Sequence, residues 1–238
     1  MILITGGTGI LGKELIKLFP SSLHPTHKEL ELSEKNDVLK FMKNNRVNVI
    51  IHAAALTGVR DCEENKSKAW QYNVTATENL VNAFVTYYPQ GYFVYISTAC
   101  VFDGHRGMYT ENDIPHPENF YALTKLLGEF IVKKLSKYLI IRTNFVAKTE
   151  WKYPKAFTDR FGTYLFSQDV ALGIKSVMDN NLQGIVHIVG DSKISMHDLA
   201  KKLSPLVEPM TITEYQGPAL TMDMSLDTTR WQKYTLSS

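Results

Sequence analysis

The stretch Ile2-Leu3-Ile4-Thr5-Gly6-Gly7-Thr8-Gly9-Ile10-Leu11-Gly12 decides the fold. Three apolar residues in a row read as a strand buried on both faces. A glycine-rich loop follows at once, and an apolar helical stretch runs from about Ile10 to Phe19. In a strand–loop–helix unit of this kind Gly6 permits the tight turn, Gly9 lets backbone approach a pyrophosphate, and Gly12 lets helix and strand pack closely. The helix N-terminus at Ile10 and Leu11 offers unpaired N–H groups to an anion. A glycine-rich turn without a ligand is the competing interpretation. The loop's position at the first strand–helix connection favours dinucleotide binding.

Working outward, short apolar runs alternate with helix-period segments. Val47–His52, Tyr92–Ile96, Leu139–Ile141 and Ile185–Val189 read as strands. Helices are expected near Asp37–Asn44 and Gln168–Met178, and from about Asn65 to Tyr87 with Trp70, Val74, Leu80, Val81 and Phe84 as the apolar side. Another is expected from about Asn119 to Leu135, with Leu123, Leu126, Leu127, Phe130 and Ile131 at helical spacing. Ser195–Leu203 reads as a short helix capped by Ser195, with Asp198 three residues on. Strands apolar on both faces and separated by helices indicate an α/β fold, a Rossmann-like doubly wound parallel sheet. Residues 1–145 are expected to form the dinucleotide-binding core. Residues 146–238 are expected to form a small C-terminal substrate lobe plus elements completing the core. Trp151-Lys152-Tyr153-Pro154 is loop-like, and the tail carries Pro205, Pro209 and Pro218 without periodicity.

With 26 Lys+Arg against 24 Asp+Glu, the net charge of +2 gives no nucleic-acid or membrane footprint. The two cysteines, Cys62 and Cys100, lack metal-type spacing and are expected to be reduced structural thiols. The histidines show no ligand spacing either, so no catalytic metal is expected, and His52 at a strand end reads as a satisfied structural histidine. The apolar runs are too short to span a bilayer. Met1 leads directly into the first strand, which leaves no room for a removable leader, and a cytoplasmic location is expected.

Tyr121 and Lys125 stand four residues apart in Tyr-Ala-Leu-Thr-Lys and share a helix face. A phenol beside an ammonium is expected to have its pKa lowered. Such a phenol is a proton donor or acceptor for a carbonyl–alcohol interconversion. The bland alternative is a half-buried Tyr beside a solvated Lys. The cofactor's ribose offers a second test, at the end of the second strand, where a carboxylate holds a 2′-hydroxyl and a basic group a 2′-phosphate. Leu23-His24-Pro25-Thr26-His27-Lys28 has no carboxylate and two basic candidates, His27 and Lys28. This favours NADP over NAD, with NAD still possible. Lys28 is either the 2′-phosphate partner or a solvated surface lysine.

These residues together resemble the extended short-chain dehydrogenase/reductases, and within them the dTDP-4-dehydrorhamnose reductase group. Glu29-Leu30-Glu31-Leu32 matches the segment that holds the adenine, with Glu31 and Leu32 as contact positions. His52-Ala53-Ala54-Ala55-Leu56-Thr57 resembles Asn-Ala-Ala-Ala-x-Thr, which passes beside the cofactor. Asn73-Val74 matches a structural asparagine of the group. Ile96-Ser97-Thr98-Ala99-Cys100-Val101-Phe102-Asp103-Gly104 resembles the Ser-Thr-Asp-Tyr-Val-Phe-Asp-Gly signature and puts the catalytic hydroxyl on Thr98, with Ala99 beside the substrate. Pro117-Glu118-Asn119-Phe120-Tyr121-Ala122-Leu123-Thr124-Lys125 matches Pro-x-Asn-x-Tyr-Gly-x-x-Lys, continued by Gly128-Glu129. Arg142-Thr143-Asn144-Phe145 is similar to Arg-Thr-Ser-Trp, whose aromatic contacts the sugar, so Asn144 and Phe145 become substrate candidates. Phe145 is also open to a core role. Asp159-Arg160-Phe161-Gly162 resembles Asp-Gln-Phe-Gly, and Ser225-Leu226-Asp227-Thr228 a C-terminal Ser-Leu-Asp-Thr.

The departures fall on the substrate half. Ala99-Cys100 replace Asp-Tyr, Phe145 replaces Trp, and Met222-Asp223-Met224 stand in place of Arg-Pro before Ser-Leu-Asp-Thr. The segment between Phe145 and Asp159 lacks a helix that the group carries over the sugar nucleotide. Trp151 and Tyr153 either take over that cover or pack on the surface. The resemblance implies NADP(H)-dependent reduction of the C4 ketone of a nucleotide-linked 4-keto-6-deoxy sugar, with Thr98, Tyr121 and Lys125 catalytic. Two alternatives stay open. One is an epimerase of the same superfamily, retaining bound NAD through turnover. The other is a non-catalytic NADP-binding regulatory subunit resembling the methionine adenosyltransferase β subunit. The apolar face of the Tyr121 helix suits either the core or a homodimer contact.

Overall fold

The glycine-loop unit folds as its sequence predicts in the computed structural model, which describes residues 1–237. Strand β1 (Ile2–Thr5) leads through the loop into helix α1 (Ile10–Leu18). The chain then runs beside β1 for a single bridge, Leu3 with Leu23. There the Leu23 N–H donates to the Ile2 carbonyl at 2.8 Å and the Ile4 N–H to the Leu23 carbonyl at 2.8 Å. The expected second strand shrinks to this bridge, since Pro25 has no N–H with which to continue a ladder.

Helix α2 (Lys35–Asn44) precedes β2 (Val49–His52). Next come α3 (Val59–Glu64), α4 (Lys66–Trp70), a π-helical turn at Gln71–Thr75, and α5 (Ala76–Tyr87). Strand β3 (Tyr92–Ile96) ends in a 3₁₀ turn at Ala99–Val101, then α6 (Phe120–Val132) leads to β4 (Tyr138–Thr143). Short strands β5 (Phe145–Val146), β6 (Lys155–Phe157), β7 (Phe161–Gly162) and β8 (Leu165–Phe166) follow. Helix α7 (Ser167–Asp179), β9 (Gly184–Ile188), β10 (Ile194–Ser195), α8 (Met196–Leu203), β11 (Glu208–Met210) and β12 (Asp223–Met224) complete the chain. Ser195 caps α8 as its sequence predicts, accepting from the Asp198 N–H at 3.0 Å.

The main sheet is wholly parallel in the order β1-β2-β3-β4-β9. Neighbouring strand residues feed opposite cores, as the period of two demands. Leu3, Ile50, Phe93 and Ile140 pack with α2 and α5, whereas Ile4, Ile51, Val94 and Ile141 pack with α1 and α7. The chain leaves β1 on the Leu23 side and returns to β2 on the other. The carboxyl end of β1 is therefore the switch point where doubly wound sheets open a ligand crevice.

Two helix faces differ from expectation. The span from Asn65 to Tyr87 is interrupted by the π turn, whose extra residue rotates the apolar phase, and Trp70 stays 46% exposed. On α6, Leu123 and Phe130 face outward, and Ala122, Lys125, Leu126, Glu129 and Val132 are buried instead. Of the expected apolar set Leu126 is buried and Leu127 and Ile131 are half-buried, and the inner face extends past them to Lys125 and Glu129, two charged residues that apolar spacing does not reveal.

Beyond Phe145, β9 and α7 belong to the main layers. The remaining strands form small sheets, β10-β7-β12, β11-β6 and β5-β8. An apolar cluster joins Phe102, Ala122 and Leu126 to Tyr164, Leu199 and Leu226, so this lobe shares a core with the Tyr121 helix. Among the described residues no helix is long and apolar enough to cross a membrane.

Candidate active site

Gly6 adopts φ +74°, and a Cβ there would lie 2.6 Å from the Ala54 nitrogen. A Cβ on Gly12 would lie 2.1 Å from the Gly6 carbonyl oxygen. Only glycine fits either position, and the backbone thereby closes into a cradle. Gly9 caps α1 without a side-chain bond, so the first-turn N–H groups at Ile10 and Leu11 face the loop. A narrow cleft opens above, lined by Thr5, Gly6, Thr8, Thr26, Leu32 and Ala54, among others. A cradle of glycine backbone and open helix N–H donors fits the pyrophosphate of a dinucleotide.

The flanking candidates divide. Leu32 and Ala54 line the cleft; Ala53 and Ala55 are half-buried beside it, and Thr57 is exposed. His27 lines the cleft, whereas Lys28 is exposed on the same loop. Glu31 accepts from the Ser33 N–H at 3.0 Å and from its hydroxyl at 2.8 Å, and its other carboxylate oxygen lies 3.5 Å from Nδ1 of His27. His52 is fully buried between Thr5 Oγ1 at 2.6 Å and Thr77 Oγ1 at 3.0 Å. Burial, with Lys125 adding, brings its pKa down to about 3, so it is a neutral structural residue.

At the end of β3, Thr98 Oγ1 accepts from the Cys100 N–H at 3.1 Å, capping the 3₁₀ turn. The Thr98 side chain also stands near enough to the Tyr121 phenol to pull its pKa down. Asn119 caps α6, accepting from the Ala122 N–H at 2.9 Å, and so sets the helix start that aims Tyr121. Residues 23 positions apart in sequence thus meet at the carboxyl edge of the sheet, next to the glycine loop's neighbour strands.

The expected electrostatics need correction. Burial, reinforced by the nearby Cys100, raises the Tyr121 phenol well above its ordinary value, and the Thr98 side chain offsets only part of this. Lys125 does not lower it. Its Nζ lies 4.2 Å from the centre of the Tyr95 ring, and burial brings its own pKa down to about 7 against the pull of Glu129. The phenol is therefore held protonated at neutral pH.

Residues matched only as motif positions in the sequence meet here to support this pair. Glu129, one turn beyond Lys125, accepts from Arg142 Nε at 3.0 Å, Arg142 Nη2 at 2.8 Å and Ser97 Oγ at 2.5 Å. Helix α6 is thereby clamped to β3 and β4. Gly128 lets it approach, since a Cβ there would lie 2.1 Å from the Tyr95 hydroxyl. Asn73, in the π turn, accepts from the Leu56 N–H at 2.7 Å and donates to Thr124 Oγ1 at 2.9 Å. Thr124 donates in turn to the Tyr121 carbonyl at 2.7 Å. The loop from Ala53 to Thr57 is thus tied to the Tyr121 helix. Glutamate and arginine matched a motif, but spacing alone carries no sign that they pair.

On the substrate side Ala99 is buried at 1% exposure, its side chain in the apolar cluster shared with Tyr164. Phe145 is half-buried against the α1–α7 core. Asn144 and the Tyr164 ring converge on Gly162. Trp151 and Tyr153 form an edge-to-face pair with centroids 6.1 Å apart, and Tyr153 is 56% exposed. Among the described residues no group of three His, Cys, Asp or Glu is placed to hold a metal.

A dinucleotide cradle at the switch point, two strands away from a threonine–tyrosine pair and its lysine, marks an oxidoreductase of the extended short-chain dehydrogenase/reductase type. Residues 1–235 match the RmlD substrate binding domain. A dTDP-4-dehydrorhamnose reductase of Aggregatibacter actinomycetemcomitans is 32% identical, covering 90% of this chain and 85% of that protein. The chain belongs to the RmlD substrate binding domain family. A solved dTDP-4-dehydrorhamnose reductase of Bacillus anthracis, in complex with NADP, superposes with a TM-score of 0.90 at 25% identity, covering 99% of this chain and 94% of that one. The methionine adenosyltransferase 2 subunit beta of Bos taurus is also similar, 27% identical over 96% of this chain and 80% of that protein.

Proposed function

We propose that this sugar-nucleotide reductase uses NADPH to reduce the C4 ketone of a nucleotide-linked 4-keto-6-deoxy sugar. The observation that carries the reading is the placing of Thr98, at the end of β3, near a buried Tyr121 phenol held protonated on the helix that also carries Lys125. Bound NADPH supplies the hydride, leaving as NADP⁺. The Tyr121 phenol donates its proton to the carbonyl oxygen as the C–H bond forms, giving the alcohol. The Thr98 hydroxyl hydrogen-bonds that oxygen and stabilises charge developing on it. Lys125 holds the nicotinamide ribose and returns a positive charge toward the phenolate left behind. Gly6, Gly9 and Gly12, with the N–H groups of Ile10 and Leu11, hold the pyrophosphate. Leu32, Ala53, Ala54, Ala55 and Thr57 shape the cleft, and Lys28 with His27 meets the 2′-phosphate. Asn144 and Phe145 flank the sugar. A protonated Tyr121 suits net reduction better than epimerisation, which begins with proton removal.

The test is NADPH oxidation, followed by absorbance, with a panel of nucleoside-diphosphate 4-keto-6-deoxy sugars. Stoichiometric oxidation with one of them is expected. A second reading, a cofactor-binding regulatory subunit, draws on the similarity to the bovine methionine adenosyltransferase subunit and on the short segment after Phe145. Stable NADPH binding without turnover of any panel member would select it.

A further inference from the structure

Arg160 stands at the start of β7, where the related Asp-Gln-Phe-Gly pattern has glutamine. Its Nε donates to the Thr221 carbonyl at 3.0 Å, and its Nη2 reaches only the Met224 sulfur, at 3.2 Å. No carboxylate pairs with it among the described residues. The two acids nearest in sequence and fold are committed elsewhere. Asp159 accepts from the Ile212 N–H at 2.9 Å, and Asp223 is held by Lys193 and by the Ser225 hydroxyl. A half-buried guanidinium is thus satisfied by one carbonyl and one thioether, a weak acceptor.

The surroundings repeat this pattern. The Cys100 thiol and the Asn144 amide also converge on Met224 Sδ, at 3.5 and 3.9 Å. The Tyr164 hydroxyl, on a side chain 2% exposed, lacks a hydrogen bond of good geometry, with Asn144 and Arg160 as polar neighbours. Three donors thus turn to one thioether, a weak acceptor. The Cys100 thiol, whose electrostatic influence reaches Tyr121, and Arg160 Nη2 meet at the same Met224 sulfur, at 3.5 and 3.2 Å. When the reacting carbonyl sits at Tyr121, the far side of the sugar ring carries the anomeric diphosphate.

We propose that Arg160 is a specificity-determining residue that receives the substrate's diphosphate, with Asn144 and Tyr164 as supporting donors. This rests on the nucleotide-sugar reading above. Arginine presents a permanent charge and a planar fork that matches phosphate oxygens. A phosphate oxygen takes over the Nη2 donor from Met224, whose unbranched side chain yields easily.

The experiment compares wild type, Arg160→Gln and Arg160→Lys. One arm measures KM and kcat on the accepted 4-keto sugar, and the other titrates dTDP and UDP onto the NADPH-bound protein by calorimetry, with thymidine as the uncharged control. Arg160→Gln is expected to raise KM and the diphosphate Kd together by about ten- to a hundredfold, the scale of charge-assisted hydrogen bonds. kcat should shift far less than KM, NADPH affinity should hold, and Arg160→Lys should recover part of the loss. Unchanged KM and diphosphate affinity in Arg160→Gln, with turnover intact, overturn the assignment. Arg160-dependent diphosphate binding without turnover of any keto sugar supports Arg160 and counts against the reductase reading. Neither binding nor turnover in wild type defeats both.

Discussion

Replacing Glu129 by Gln tests the clamp beneath the Tyr121 helix. Glu129 and Arg142 are 0% and 1% exposed, and both carboxylate oxygens are engaged by the guanidinium, with Ser97 as a third donor. Glutamine offers one oxygen, so its NH₂ must confront either Arg142 or Ser97. The guanidinium then remains charged and uncompensated in the interior, with Nη1 already lacking a partner. Breaking one side of a buried pair costs about 3–5 kcal/mol. Total stability is about 5–15 kcal/mol. The expected loss is therefore a large share of it, and Tm should fall by about 10 °C. Urea unfolding followed by tryptophan fluorescence measures this. The double variant Glu129→Leu/Arg142→Met removes both charges and should lose less than the sum of its single changes. A loss below about 1 kcal/mol in Glu129→Gln, at unchanged denaturant slope, would refute the claim that the clamp is a closed charge pair.

Tyr121→Phe should lower kcat by about 10²–10⁴-fold, the usual range for a general acid, while NADPH titration stays near wild type; wild-type turnover would remove Tyr121 as the proton donor. Gly12→Ala places a Cβ 2.1 Å from the Gly6 carbonyl, so NADPH affinity should collapse with a loss of Tm, and retained affinity would show that the loop is not the cradle described. Lys28→Ala should lower the NADPH-over-NADH preference, and an unchanged ratio of Kd values would assign the 2′-phosphate elsewhere. Lys125 gives a pH signature. Its pKa is brought down to about 7 in the fold from an ordinary 10.5. Below pH 7 both states carry the charge and the burial cost is present in full. Between about 7 and 10.5 the unfolded chain binds more protons than the native one, so stability from this residue rises with pH, by up to about 1.4 kcal/mol per unit. Urea midpoints at pH 7, 8 and 9 should climb in wild type and flatten in Lys125→Met; equal slopes would count against a buried, neutralising lysine.

The parts legible in advance are those written in adjacent residues. Gly6, Gly9 and Gly12 announce a close-approach loop because the missing side chain is itself the structural requirement. Ile2–Thr5 and Tyr92–Ile96 announce buried parallel strands because composition and length suffice. The Tyr121–Lys125 spacing lies within two helical turns. The helix faces were less legible, since the π turn shifts phase within α4 and α5 and a buried Glu129–Arg142 pair hides polar residues on the inner side of α6.

By itself, then, the sequence determined a doubly wound sheet, a dinucleotide loop and a phenol–lysine helix, because each depends on local backbone geometry or on short-period patterning. Only the tertiary structure decided which side chains meet. It set Thr98 against Tyr121, turned Lys125 under the Tyr95 ring, clamped Glu129 between Ser97 and Arg142, and left Arg160 with a thioether for a partner. These pairings join elements remote in the chain, and their energies turn on burial and on the loss of competing water. Neither quantity exists until the layers have packed.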